Sequence, residues 1–286
     1  RQIESIKETG SPIYEDPLND NSKEQAFTPL FYYIIAASSF IIPTIVAAKI
    51  IPSLFISGIV FIVYLISLRI SRNRNVALLS AFMSGFIPII TSLTLNSLSV
   101  HSLSIPLIFL TFYFFIRSQK EKEYSVHCII SYLLALLTSP ITLILMASLL
   151  IYMIVLYIEK QKPSKTNQEI ILFLSLFTLW IYIIMFKSLI FQHGPSVIFE
   201  TIPRIVRSEY FSDFNILTGI LKIGLIPFLF GISVVYRFFF RYRKKENLMY
   251  ISMALTSLAL LWLRLIEAKI GLSILSIVLV LLFSHF

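Results

Sequence analysis

Apolar residues run through this chain in long blocks, separated by short polar connections. The blocks lie at residues 50–69, 76–92, 101–117, 124–140, 141–158, 170–189, 216–236, 248–263 and 271–286. Each is about as long as a helix that crosses a hydrocarbon core roughly 30 Å thick. Half-buried strands would alternate apolar and polar positions, and a block such as ITLILMASLLIYMIVLYI (141–158) has no alternation. In lipid a continuous apolar run must satisfy its own backbone hydrogen bonds, which leaves the helix. The pattern predicts an all-α, polytopic membrane helix bundle of about nine spans.

Composition agrees: of 286 residues, 57% are hydrophobic and 14% charged, against about a quarter charged in an average soluble domain. Charge placement adds an orientation. Four connections are basic: Arg69/Arg72/Arg74, Arg117/Lys120/Lys122, Lys160/Lys162/Lys165 and Arg237/Arg241/Arg243/Lys244/Lys245. They hold fourteen Lys and Arg against five acids, the whole formal excess of +9, while the rest of the chain is balanced. The positive-inside rule assigns these connections to the cytoplasm. That placement makes them orientation signals and lipid contacts, and argues against nucleic acid as a partner. Residues 1–27 then lie outside, as expected for a multi-pass protein of a prokaryotic cytoplasmic membrane. The single cysteine, Cys128, sits in an apolar block and reads as a small packing residue.

Orientation raises a conflict at residues 28–48, TPLFYYIIAASSFIIPTIVAA, which are apolar enough to span. If they do span, the next helix delivers Arg69, Arg72 and Arg74 to the wrong side. Otherwise residues 28–40 lie in the outer interface or re-enter it, their aromatic residues at headgroup depth, with a break at Pro43. The charge count favours the interfacial helix. The chain then divides into an external first loop with that helix (1–49) and a transmembrane helical domain (50–286). Residues 1–9 predict one short helix, Ile3 and Ile6 on one face and Gly10 ending it. The missing methionine before Arg1, and a last block with no basic cap, predict a chain lacking segments at both ends.

No block carries a carboxylate at its centre, and Lys187 and Lys222 stand where snorkelling explains them. Polar chemistry gathers instead in three external connections. The N-terminal segment holds Glu15, Asp16 and Lys23. Residues 93–104, LTLNSLSVHSLS, hold Asn96 and His101. Residues 191–215, the longest connection, hold His193, Arg204 and Arg207. Glu15 and Asp16 are general-base or cation-ligand candidates, against a plain turn before Pro17. His101 and His193 are substrate-contact candidates, against hydrogen-bonded residues at helix ends. Arg204 and Arg207, three apart, share a helix face suited to a phosphate or to lipid headgroups. No metalloprotease, Walker or nucleophile-elbow motif is present.

Taken together, RQIESIKETGSPIYEDPL followed by TPLFYYIIA resembles the first external loop of GT-C type membrane glycosyltransferases. That group includes protein O-mannosyltransferases, aminoarabinose transferases and the catalytic subunit of oligosaccharyltransferase. LNSLSVHSLSIPL and HGPSVIFETIPRIV add looser matches, most like archaeal members. The resemblance implies transfer of a sugar from a polyprenyl-phosphate or polyprenyl-diphosphate donor to a protein, lipid or glycan acceptor outside the membrane. It implies a principal catalytic aspartate just before the residue matching Arg1, and a phosphate contact at Lys23. Where part of the family has a second acid, this chain has Asn96 and His101. Asp16 is then the substitute, and a divalent cation, Mg or Mn, is the cofactor to be tested. A lipid-linked saccharide transporter and a non-catalytic scaffold subunit are the competing readings.

Overall fold

A computed structural model describes residues 1–13, 28–94, 97–193, 215–240 and 245–284, and all regular structure among them is helical. The N-terminal helix α1 (Gln2–Thr9) ends where Gly10 takes a left-handed conformation, φ 75°. Its buried residues are Ile3 and Ile6, the face expected from their spacing. They pack with Phe31, Ile35 and Ala36 of α2 (Leu30–Ser38), with Ala47, and with Leu103. Polar contacts close the same unit. The Gln2 side chain both donates to and accepts from the Ile13 backbone (3.1 and 2.9 Å), and the Tyr33 hydroxyl donates to Gly10 O at 3.0 Å.

Nine residues of α2 rise about 14 Å, less than half of a hydrocarbon core. The chain turns at 39–42, and Pro43, with extended backbone, opens α3 (Thr44–Ser71). This is the break expected at that proline. α3 starts at Thr44 rather than at residue 50, because the extended Pro43 sets a fresh helix start and the apolar residues that follow it join the run.

The block at 76–92 is not one helix. α4 (Arg74–Gly85) stops, and α5 (Pro88–Thr94) starts again with proline at its first position. Pro88 lacks an N–H and drives Ile87 away from helical backbone, which breaks the run. There follow α6 (His101–Ser118), α7 (Tyr124–Thr138), a 3-10 turn (Pro140–Thr142) and α8 (Leu143–Ile158). The long α9 (Lys165–His193) comes next.

The block at 216–236 also departs from a straight span. α10 (Ile216–Ile223) and α11 (Leu225–Phe240) meet at 97°. Gly224, φ 98° and ψ 133°, makes the corner, a conformation open almost only to glycine. α12 (Lys245–Trp262) and α13 (Ala268–Phe283) complete the described chain.

Among the described residues four helices are long and apolar enough to cross a membrane: Thr44–Ser71, His101–Ser118, Pro140–Ile158 and Lys165–Met185; the bent α10–α11 pair makes five if counted as one span. Their outward faces match that role. On α9, Leu172, Leu176, Leu179, Trp180, Ile183 and Ile184 are all exposed. A contiguous apolar surface of this kind is alien to a water-soluble monomer.

At the centre lies α13, buried from Ile270 to Leu282. It packs against α11, α12, α10, α4, α5 and α3. A helix apolar on every side belongs in such a core. Its approach to α11 needs Gly231, where a Cβ would stand 2.8 Å from Cβ of Leu279. Cys128 is fully buried, as its apolar setting implied.

Candidate functional site

Connectivity fixes which helix ends share a side. α6, α8 and α13 begin at one end of the bundle, where α7 and α12 finish. A pocket of about 470 Å³ opens there, lined by His101, Ser139, Pro140, Ile144, Ala147, Leu260, Ile266 and Glu267 among others. Its walls are largely apolar, with an imidazole, a hydroxyl and a carboxylate set among them.

Each polar group is placed by a local break in helix. His101 is the first residue of α6, and its N–H bonds the Ser99 hydroxyl (3.3 Å). Ser139 stands between α7 and the 3-10 turn, where its hydroxyl accepts from the Ile141 N–H at 3.3 Å. Pro140 prevents the two helices from fusing. Glu267 precedes α13 at its N-cap, yet its side chain makes no capping hydrogen bond. The carboxylate therefore remains available beside the positive end of the helix dipole.

His101 Nδ1 is buried and has no hydrogen-bond partner. A buried polar nitrogen left unpaired costs about 1–3 kcal/mol, so a group that pairs with it on binding recovers that cost. The pocket can thus hold a molecule that is partly apolar and carries hydroxyl or similar hydrogen-bonding groups.

Of the residues marked out by sequence, the structure brings only His101 to this pocket. Glu15, Asp16, Lys23, Asn96, Arg204 and Arg207 lie outside the described residues, as does the side chain of His193, the last residue of α9. Sequence reasoning passed over Ser139 and Glu267. A signal for Glu267 existed: the connection LRLIEAK (263–269) joins two apolar blocks and carries Arg264, Glu267 and Lys269. Among the described residues no three His, Cys, Asp or Glu side chains converge to hold a metal ion.

The N-terminal unit seats at the same end. Leu103, two residues beyond His101, belongs to the apolar cluster formed by α1 and α2. Compared with known proteins, the chain matches no family model and no curated sequence.

Proposed function

We propose that this protein is a membrane glycosyltransferase of the GT-C type. It moves a sugar from a polyprenyl-phosphate or polyprenyl-diphosphate donor to an acceptor on the non-cytoplasmic side, through about nine spans oriented by the four basic connections. One observation carries the reading. Two of the segments that resemble this group, the N-terminal one through its described residues 1–13 and the stretch around His101, are far apart in sequence and meet at one end of the bundle, beside a mixed polar and apolar pocket.

In the reaction, the bond from the sugar's anomeric carbon to the phosphate oxygen breaks and the phosphate keeps the electron pair. The acceptor hydroxyl forms the new glycosidic bond and gives its proton to a carboxylate base. His101 and Glu267 hydrogen-bond to sugar hydroxyls, and the apolar wall of Leu260, Ile266 and Ile144 receives the first isoprene units. Glu15 or Asp16, or an aspartate before Arg1, is the base; Lys23, Arg204 and Arg207 neutralise the leaving phosphate. A divalent cation held by the external carboxylates would assist the same charge.

The test uses protein from the complete gene in lipid, incubated with polyprenyl-linked sugars, and mass spectrometry of candidate acceptors. Transfer is expected, with His101→Ala and Glu267→Gln each lowering the rate about ten- to a hundredfold, the worth of a hydrogen bond to a charged or buried partner. Sugar flux across liposomes with no glycosylated product would favour the transporter. Full activity in both variants would remove the pocket from the reaction.

A further inference from the structure

A second cavity, of about 850 Å³, lies at the opposite end of the bundle. Leu65, Leu68 and Ile70 form an apolar wall, and Arg69, Arg72, Arg117 and Lys120 bring four cations to the same cleft. The cations come from two connections about fifty residues apart, at the end of α3 and the end of α6. Glu121 ties them together, accepting from Arg69 at 3.4 Å and from Arg117 at 3.0 Å. One carboxylate among four cations leaves a net charge of +3 on these five residues.

Arg117 shares the Glu121 carboxylate with Arg69 and is fixed in place by two aromatic side chains. Its guanidinium stacks 3.7 Å from the centre of the Tyr124 ring and donates to the Tyr113 hydroxyl at 3.2 Å. Its Nε is buried with no hydrogen-bond partner. A guanidinium fixed on an aromatic face, with one donor unused, suits a phosphate oxygen. Arg72 carries a second sign. It occupies a left-handed conformation, φ 54°, at the C-cap of α3, where glycine is the favoured residue. Arginine here costs backbone strain, and its side chain lines the cleft.

We propose that this cleft binds the phosphate headgroup of an anionic membrane lipid carrying two or more negative charges, with its acyl chains along Leu65, Leu68 and Ile70. Two features select a lipid over a free anion. The cations stand at the end of a spanning helix, at headgroup depth. An apolar wall continues directly below them. Basic clefts between membrane helices have the charge and shape that such headgroups require. The site is separate from the sugar-transfer pocket and does not depend on that reading.

The experiment measures thermal stabilisation and native mass spectra of the purified full chain with cardiolipin, phosphatidic acid, phosphatidylcholine or inorganic phosphate. Cardiolipin and phosphatidic acid should stay bound and raise the melting temperature, and phosphatidylcholine should not. Arg72→Gly with Lys120→Ala should weaken binding about thirtyfold, the effect of two basic groups at an anionic surface. Because glycine relieves the φ 54° strain, this variant should fold at least as well as the parent, which separates lost binding from lost structure. Lys160→Ala with Lys162→Ala, on another basic connection, should bind normally. Equal loss in that control would show diffuse attraction and overturn the site. Equal stabilisation by inorganic phosphate would show a free-anion site and overturn the lipid assignment.

Discussion

Most hydroxyls described in this bundle are satisfied within their own helix, and the Tyr132–Thr178 pair shows how one of them also links two helices. Ser148, Ser252, Thr256 and Ser257 each donate to the carbonyl four residues back, which removes the cost of a bare hydroxyl in an apolar setting. Thr178 does the same toward Leu174 O at 2.6 Å, and its oxygen also meets the Tyr132 hydroxyl of α7 at 2.6 Å. With the threonine proton committed to Leu174, Tyr132 is the donor between the helices. Tyr132→Phe therefore leaves Thr178 satisfied and removes one interhelical bond. The expected loss is about 0.6 kcal/mol, the average for such bonds in a membrane bundle, read from the unfolding midpoint in mixed micelles. Tyr132→Ala should cost several times more, about 3–5 kcal/mol, because it also empties a fully buried ring site. An equal effect of both variants would mean that the ring contributes nothing beyond its hydroxyl.

At the scale of elements, helix existence was legible in the apolar blocks and helix continuity was not. Among the described residues every block is mostly helix, because a run without polar residues has no other way to satisfy its backbone in lipid. The breaks at Gly85–Pro88 and at Gly224 sit inside equally apolar sequence, so an average over the block passes through them. Pro88 was visible as a residue, but prolines also sit inside continuous helices here, Pro52 in α3 and Pro106 in α6. Only packing tells the two cases apart. The pocket was half legible: His101 stands in a polar connection, whereas Glu267 needed a neighbour from another helix hairpin to gain meaning. Gly224 offers the sharpest test at this scale. A Cβ there meets nothing closer than 3.4 Å, so space is not the obstacle and the φ of 98° is. Gly224→Ala should destabilise by about 1–3 kcal/mol. Gly58→Ala, inside α3 with no atom within 4 Å of the added Cβ, should stabilise slightly. Equal effects at both sites would argue that the corner is not held in the folded protein.

The whole molecule sets two chemically different ends against each other, and this polarity is its most testable global property. One end gathers Arg69, Arg72, Arg117 and Lys120 around a cleft; the other has a mostly apolar pocket with His101 and Glu267. If the basic end faces the cytoplasm, a reporter at Lys120 and one at Lys269, the second residue of α13, lie on opposite sides of the membrane. Both side chains are exposed, so thiols placed there meet solvent or headgroups. The background is simple, since Cys128 is the one cysteine and is fully buried; Cys128→Ser removes it with little change in volume. In intact cells a membrane-impermeant maleimide should label Lys269→Cys and leave Lys120→Cys untouched until the membrane is opened. A further reporter at Thr9, on the last turn of α1, should label with Lys269→Cys, because α2 is too short to carry the chain across. Labelling of Thr9→Cys with Lys120→Cys instead would mean that residues 28–48 cross after all, placing the N-terminal unit on the side of the basic connections. That outcome would separate the two segments whose meeting carries the glycosyltransferase reading. Co-labelling of Thr9→Cys and Lys269→Cys would keep the N-terminal unit and the pocket on one face of the membrane, as the proposed sugar transfer requires.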